Sequence, residues 1–216
     1  MKEIFPGVFR EGKRLFTLNY ARGRKVYGEK LVKVGEKEFR EWASERSKLA
    51  AALSNNLRRF PFTKNAKILY LGASTGTTVS HLSDICPEGI IYAIEFSERV
   101  FHGLLSLSAV RQNIVPIMSD ARKLANYRWI EEVDVIFCDI AQPDETEIAV
   151  RNADEFLKRG GILMLSIKSQ SIDVTKKSSQ VYASEKKKLE KDFEIQEMIN
   201  LEPFEKNHAL IVAKKN

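Results

Sequence analysis

A short apolar run that ends between two glycines constrains this chain more than any other stretch. Lys67–Leu71 reads as a buried strand, apolar after its first residue and without polar alternation. Gly72 breaks the run and Gly76 follows four residues later. From Thr77 the pattern turns helical, with Val79 and Leu82 spaced for one face. Strand, tight turn and helix start together form a cradle. Glycine lets the backbone approach a ligand closely, and free N–H groups at a helix start favour polar or anionic groups.

The chain after this unit alternates regularly, which makes it an α/β protein with a parallel sheet covered on both faces. Strand-like runs fall at 89–94, 113–118, 133–138 and 162–167, separated by helical patterns at 97–112 and 144–157 and a short helix or turn at 120–129. A polar, lysine-rich helix is expected over Val174–Lys191. The last two strands, Phe193–Asn200 and Ala209–Ala213, have no helix between them and therefore form an antiparallel hairpin. Residues 1–37 differ: short β-like runs at 8–10, 14–20 and 30–34 are separated by turn signals at Gly12, Gly23 and Gly35. They predict a small antiparallel β domain over 1–37 packed on a larger domain over 38–216. Phe39–Leu57 is expected to be a helix, because Phe39, Trp42, Ala43, Arg46, Leu49, Ala50, Leu53 and Leu57 follow its period. Lys48 falls off that stripe, on the solvated side.

A net charge of +6 and a pI of about 9.2 suit a polyanionic partner, nucleic acid being the commonest. Arg22, Arg24, Lys25, Arg58, Arg59, Lys176 and Lys177 are candidate backbone contacts. Cys86 and Cys138 sit in apolar contexts and read as reduced core thiols. There is no signal peptide pattern and no apolar run of the roughly 18 residues a membrane helix needs. His81 and His102 lack a second ligand at metal-binding spacing, so they are assigned structural or surface roles and no metal is expected.

In a doubly wound sheet, ligands sit beyond the carboxyl ends of the strands. Glu95 and Phe96 follow the second strand, Ser119, Asp120 and Ala121 the third, Asp139 to Gln142 the fourth, and Lys168 the fifth. Glu95 can accept hydrogen bonds from a ribose diol, and Phe96 offers a flat face to adenine. Asp120 can accept from the adenine amino group while the Ala121 N–H reads a ring nitrogen. These describe a pocket for an adenosine-containing cofactor. A dinucleotide fold wants G-x-G-x-x-G, with the middle glycine leaving room for pyrophosphate. Here Ser74 holds that position, which favours a cofactor without phosphates, S-adenosylmethionine foremost.

The motifs Val26–Val32, Arg46–Ala52, Tyr70–Thr78, Ala93–Ser97, Asp139–Pro143, Ile167–Ser169 and His208–Ala209 occur in order along nearly the whole chain. In these the chain resembles the fibrillarin family, in its shorter archaeal form without a glycine- and arginine-rich extension. Leu18–Lys25 and Trp42–Glu45 depart from the family pattern. The resemblance implies a class I S-adenosylmethionine-dependent methyltransferase fold, a Rossmann-like seven-stranded sheet with its last strand antiparallel, and a small N-terminal β domain. It implies methylation of ribose 2′-hydroxyls in ribosomal and transfer RNA within a box C/D ribonucleoprotein, in an archaeal cytoplasm. The implied partners are a guide RNA with its target RNA, a Nop-domain scaffold protein and a kink-turn-binding ribosomal-type protein.

By the same resemblance, Gly72, Ala73, Gly76, Thr77, Thr78, Glu95, Phe96, Asp120, Ala121, Asp139, Ile140, Ala141 and Gln142 line the cofactor pocket. Lys48, Asp139, Lys168 and His208 lie around the reacting hydroxyl. Lys168 is expected to orient and polarise it, and Asp139 to hold Lys168 and accept or relay the proton. Lys48 favours negative charge at the oxygen or fixes the neighbouring phosphate, and His208 is chemical or positional. A stand-alone ribose methyltransferase, a non-catalytic RNA-binding subunit and a dehydrogenase are the alternatives.

Overall fold

The computed structural model describes all residues, Met1–Asn216. Two sheets organise it. The N-terminal sheet contains β1 (Lys2–Phe5), β2 (Val8–Glu11), β3 (Arg14–Leu18), β4 (Leu31–Val34) and β5 (Lys37–Trp42), in the order β1-β2-β3-β5-β4 and antiparallel throughout. A turn of 3-10 helix (Ser44–Arg46) leads to α1 (Lys48–Ser54). The second sheet is built from β6 (Lys67–Leu71), α2 (Thr77–Ile85), β7 (Ile90–Glu95), α3 (Glu98–Ser108), β8 (Ile114–Met118), β9 (Val133–Cys138), α4 (Glu145–Phe156) and β10 (Leu157–Lys168). It is completed by α5 (Ser169–Ile172), α6 (Ser178–Leu189), β11 (Phe193–Asn200) and β12 (His208–Lys215). Its order is β11-β12-β10-β9-β6-β7-β8. β12 runs antiparallel to both neighbours, and β6 to β10 are mutually parallel.

The continuous apolar character of β6 follows from its central place. Ile68, Leu69, Tyr70 and Leu71 are all buried, because one face meets α1 and α2 and the other meets α4. Each such side chain contributes roughly 1.5–3 kcal/mol on burial. Two apolar layers result, one on each face of the sheet.

The helix expected over Phe39–Leu57 is corrected. Its first part is β5, which pairs with β3 and β4, and the helix proper is only Lys48–Ser54. The N-terminal sheet therefore runs on to Trp42, past residue 37. The misleading residue is Arg40. A periodicity argument places arginine in solvent, yet this one is fully buried, with its guanidinium 3.3 Å from Glu29 and 3.1 Å from Asp84. Ser47 caps α1 by accepting the Ala50 N–H. The helix expected over Val174–Lys191 is shorter, Ser178–Leu189, and is preceded by the brief α5.

A buried polar seam joins the two sheets. Asp84 of α2 meets both Arg40 and Arg111, and His81 of the same helix lies 2.8 Å from the Thr17 hydroxyl and 2.8 Å from the Tyr27 hydroxyl. Trp42 stacks on the His81 ring at 4.8 Å. Burial, reinforced by Arg40 and Arg111, pushes the His81 pKa well down, so the ring is neutral and structural, as expected of it. His102 is exposed on α3.

Candidate active site

Strand register brings the strand ends named above to one rim. Leu71 pairs with Ile94 on one side and Cys138 on the other, Glu95 pairs with Met118, and Lys168 pairs with His208. The residues that follow β6, β7, β8 and β9 thus open on the same side as Lys168 and the first residue of β12.

Gly72 is the tightest point. Its φ is +83°, and a Cβ there would lie 2.4 Å from the Asp139 carbonyl oxygen. Only glycine lets the turn press so closely on the end of β9. The ladder continues through the turn: Gly72 and Ala73 donate to the Ile94 carbonyl at 3.0 and 2.9 Å, and Asp139 donates to the Leu71 carbonyl at 2.9 Å. Ser74, at φ 51°, donates its N–H to Glu95 Oε2 at 2.6 Å, and Ser97 donates to Glu95 Oε1 at 2.7 Å. Glu95 is thereby fixed, and each oxygen keeps acceptor capacity.

A cavity of about 330 Å³ opens above these groups. Of the residues named for the cofactor pocket, Gly72, Glu95, Phe96, Asp120, Ala121, Asp139, Ile140, Ala141 and Gln142 line it. Phe96 is 73% exposed, an unusual position for a phenylalanine that packs on nothing in the protein's own interior. Ala73, Gly76, Thr77 and Thr78 continue from the Gly72 turn into the start of α2. Gly76 starts α2 in the left-handed region, and Thr78 turns away to donate to Ser47 Oγ at 2.9 Å, tying α2 to the cap of α1. The lining also includes Ser74 and Ser119, which the sequence placed at strand ends without a role, and Ile94, Arg122 and Ile148, which sequence reasoning missed. Arg122 donates to Asp144 at 2.6 Å and to Gln142 at 3.1 Å, closing one end of the cavity. Its place two residues after Asp120 was the available signal.

Beside this cavity, Lys48 Nζ lies 2.8 Å from Asp139 Oδ1, with both side chains only one-fifth exposed. Burial opposes the Lys48 charge, but Asp139 beside it, with Glu205 and Glu145 further off, outweighs burial and raises its pKa. Lys48 is therefore an ammonium in a carboxylate pair, not a solvated surface lysine. The expectation that Asp139 holds Lys168 is corrected in the same way: the partner of Asp139 is Lys48. The physical reason is register. Leu165 is level with Cys138, so Lys168 stands two residues past the level of Asp139, about 7 Å along the strand. Lys48, at the capped start of α1, reaches the carboxylate directly.

Lys168 donates its backbone N–H to Glu145 Oε1 at 3.2 Å. Glu145 is fully buried at the start of α4, and burial pushes its pKa up to about 9, against the Lys168 N–H and with help from Asp139. It is a neutral carboxyl at pH 7. His208 is buried, with Nδ1 2.7 Å from the Lys206 carbonyl. A carbonyl only accepts, so Nδ1 carries a proton and the neutral ring presents Nε2 as an acceptor. Burial lowers the His208 pKa, with the Lys48 charge acting in the same sense and the Lys206 carbonyl against it.

The family model for Fibrillarin matches residues 1–216. A relative from Sulfolobus acidocaldarius, named fibrillarin-like rRNA/tRNA 2′-O-methyltransferase, is 49% identical over 215 residues, covering 98% of this chain and 93% of its own. The crystal structure of Aeropyrum pernix fibrillarin with natively bound S-adenosyl-L-methionine is 42% identical, with a TM-score of 0.87 over 99% of this chain and 100% of that one. A fibrillarin/Nop5p complex is 41% identical, with a TM-score of 0.92 over the whole of both chains.

Proposed function

Since the chain belongs to the fibrillarin family, we propose that it methylates ribose 2′-hydroxyls of ribosomal and transfer RNA, directed by a guide RNA, as the catalytic subunit of a box C/D ribonucleoprotein. The observation that carries the reading is the junction of two things: a cavity of about 330 Å³ with a fixed carboxylate and an exposed aromatic, and a Lys48–Asp139 pair at its edge.

S-adenosylmethionine, when bound, supplies an electrophilic methyl group on a sulfonium. The residues present fit it. Glu95 keeps acceptor capacity for a ribose diol, and Phe96 presents an exposed ring to adenine. Asp120, Ala121, Gly72 and the Asp139–Gln142 segment line the same cavity. No residue is asked to protonate a leaving group, because a sulfonium departs as a neutral sulfide.

The protein's task is therefore to align the hydroxyl, receive its proton and stabilise negative charge on its oxygen. Lys48 orients the Asp139 carboxylate, and Asp139 is the proposed proton acceptor. Lys168, which forms no carboxylate pair, is the cation proposed to face the oxygen. Neutral His208, across the strand pair from Lys168, offers Nε2 as an acceptor that positions the lysine or the ribose. Sequence choice is left to base pairing with the guide, since the 2′-hydroxyl is accessible in the shallow minor groove of an A-form duplex. A Nop-domain scaffold and a kink-turn-binding protein complete the proposed assembly.

The test is methyl transfer from labelled S-adenosylmethionine to a defined RNA, with and without guide RNA and both partner proteins. Ribose methylation at the guided nucleotide only in the full assembly is expected. Equal activity on naked RNA alone points to a stand-alone enzyme, and cofactor binding without transfer in any mixture refutes catalysis.

A further inference from the structure

A second cavity, of about 550 Å³, lies between the 21–27 loop of the N-terminal domain and α3. It does not belong to the cofactor site. Its walls carry Arg24, Lys25 and Arg46, and no carboxylate lines it. Arg111, at its base, is already neutralised by Asp84. Arg24, Lys25 and Arg46 form no ion pair and are exposed. Three free cations in one concavity, without an acid among them, concentrate positive potential.

The cavity is also prepared for its occupant. The Arg46 guanidinium lies 5.9 Å from the centre of the Tyr27 ring. That ring is itself fixed, because its hydroxyl donates to the Glu41 carbonyl at 3.0 Å and lies 2.8 Å from His81 Nε2. Arg46 is thus held in place without having its charge cancelled. The cavity adjoins the reacting centre: Thr75, on the cofactor turn, is part of its wall, and Arg46 is separated from Lys48 by Ser47 alone, about 7 Å at full extension. Val26, Leu107 and Val110 give it an apolar side against which a sugar or base can rest.

We propose that this groove is a sugar–phosphate binding site, in which Arg24, Lys25 and Arg46 hold backbone phosphates of the RNA strand that presents its ribose to Lys48 and Asp139. The inference rests on the proposed RNA methylation. Phosphate contacts of this kind position a strand without reading its sequence. Each removes roughly 0.7 from the slope of log affinity against log salt for a single strand. Three contacts account for a roughly 20-fold loss of affinity between 50 and 200 mM salt.

The experiment compares the full-length protein with the R24A/K25A/R46A variant and with K13A/K33A/K37A, which removes the same charge from exposed sites on the N-terminal sheet. The probe is a fluorescently labelled single-stranded RNA, titrated by anisotropy at several salt concentrations. S-adenosylhomocysteine binding and thermal melting report the integrity of the rest. The groove variant is expected to bind RNA at least tenfold more weakly at 50 mM salt, with a salt slope shallower by about 2, and with cofactor binding unchanged. A charge-preserving R24K/K25R/R46K variant should restore the slope. Equal losses in the groove and control variants would show diffuse attraction and overturn the site. So would parental RNA binding in the groove variant while the parent assembly methylates its target. A parent that methylates no RNA in any assembly sinks the methylation reading itself, which is a separate result.

Discussion

Replacing Gly72 by alanine tests the geometry on which the rim depends. Two penalties add. The left-handed backbone at φ +83° costs a Cβ-bearing residue about 1–2 kcal/mol. The new Cβ would meet the Asp139 carbonyl oxygen at 2.4 Å, where ordinary contact begins near 3.4 Å, so turn and strand end must separate by about 1 Å. Overpacking of this kind costs about 1–3 kcal/mol. The sum, about 2–5 kcal/mol, corresponds to a Tm loss of roughly 4–20 °C for a chain of this length. The displacement falls on the backbone of Asp139, so turnover should drop about 100-fold even in protein that stays folded. Gly12 supplies the comparison: its φ is +60° with no atom within 4 Å of a new Cβ, so Gly12→Ala carries only the backbone penalty and keeps turnover. Thermal melts and single-turnover methyl transfer on both variants decide it. If Gly72→Ala loses no more stability than Gly12→Ala and turns over at the parental rate, the tight junction of β6 and β9 does not control the site.

Lys48→Ala leaves Asp139 without its counter-charge. It should cost roughly 1–3 kcal/mol of stability and about 100-fold or more in turnover while cofactor binding persists, and calorimetric titration with S-adenosylhomocysteine beside a rate assay would expose any other pattern. Lys168→Ala should keep both cofactor binding and Tm while abolishing turnover; full activity would remove Lys168 from the mechanism. Glu145 has its folded pKa raised to about 9, so the stability it contributes is fully present below the usual carboxylate pKa and is lost as pH rises through 9. Glu145→Gln should therefore gain Tm relative to the parent between pH 5 and 9, and a difference independent of pH would contradict a neutral Glu145. Phe96→Ala should leave Tm unchanged, because the ring is exposed, and weaken cofactor binding about tenfold, checked by equilibrium titration.

The parallel core was legible because β6, β7 and β9 are buried on both faces and their sequences show it as apolar runs, Ile68–Leu71, Ile90–Ile94 and Val135–Cys138. The cavity lining was legible because strand ends in such a sheet share one rim. β5 was hidden because Arg40 is a buried cation, and its compensation comes from Glu29 and Asp84, 11 residues before it and 44 after. No local pattern records such a pairing. Lys48 read as solvated for the same reason: its partner Asp139 is set by tertiary contact. The Thr78–Ser47 bond that ties α2 to α1 is tertiary too, and no local pattern announces it.

The seam of Asp84, Arg40, Arg111 and His81 bears on how this protein can be cut or recombined. The helix that begins at the cofactor turn carries in its middle the groups on which the N-terminal sheet is seated. A truncation meant to isolate a minimal catalytic module would strip one guanidinium from a carboxylate that the intact protein buries, and would uncover Trp42's partner ring. Grafting a foreign front half onto residues 56–216 would have to supply an arginine, a threonine and a tyrosine at matching depths. The two sheets share one buried polar interface, and library design should keep its partners together.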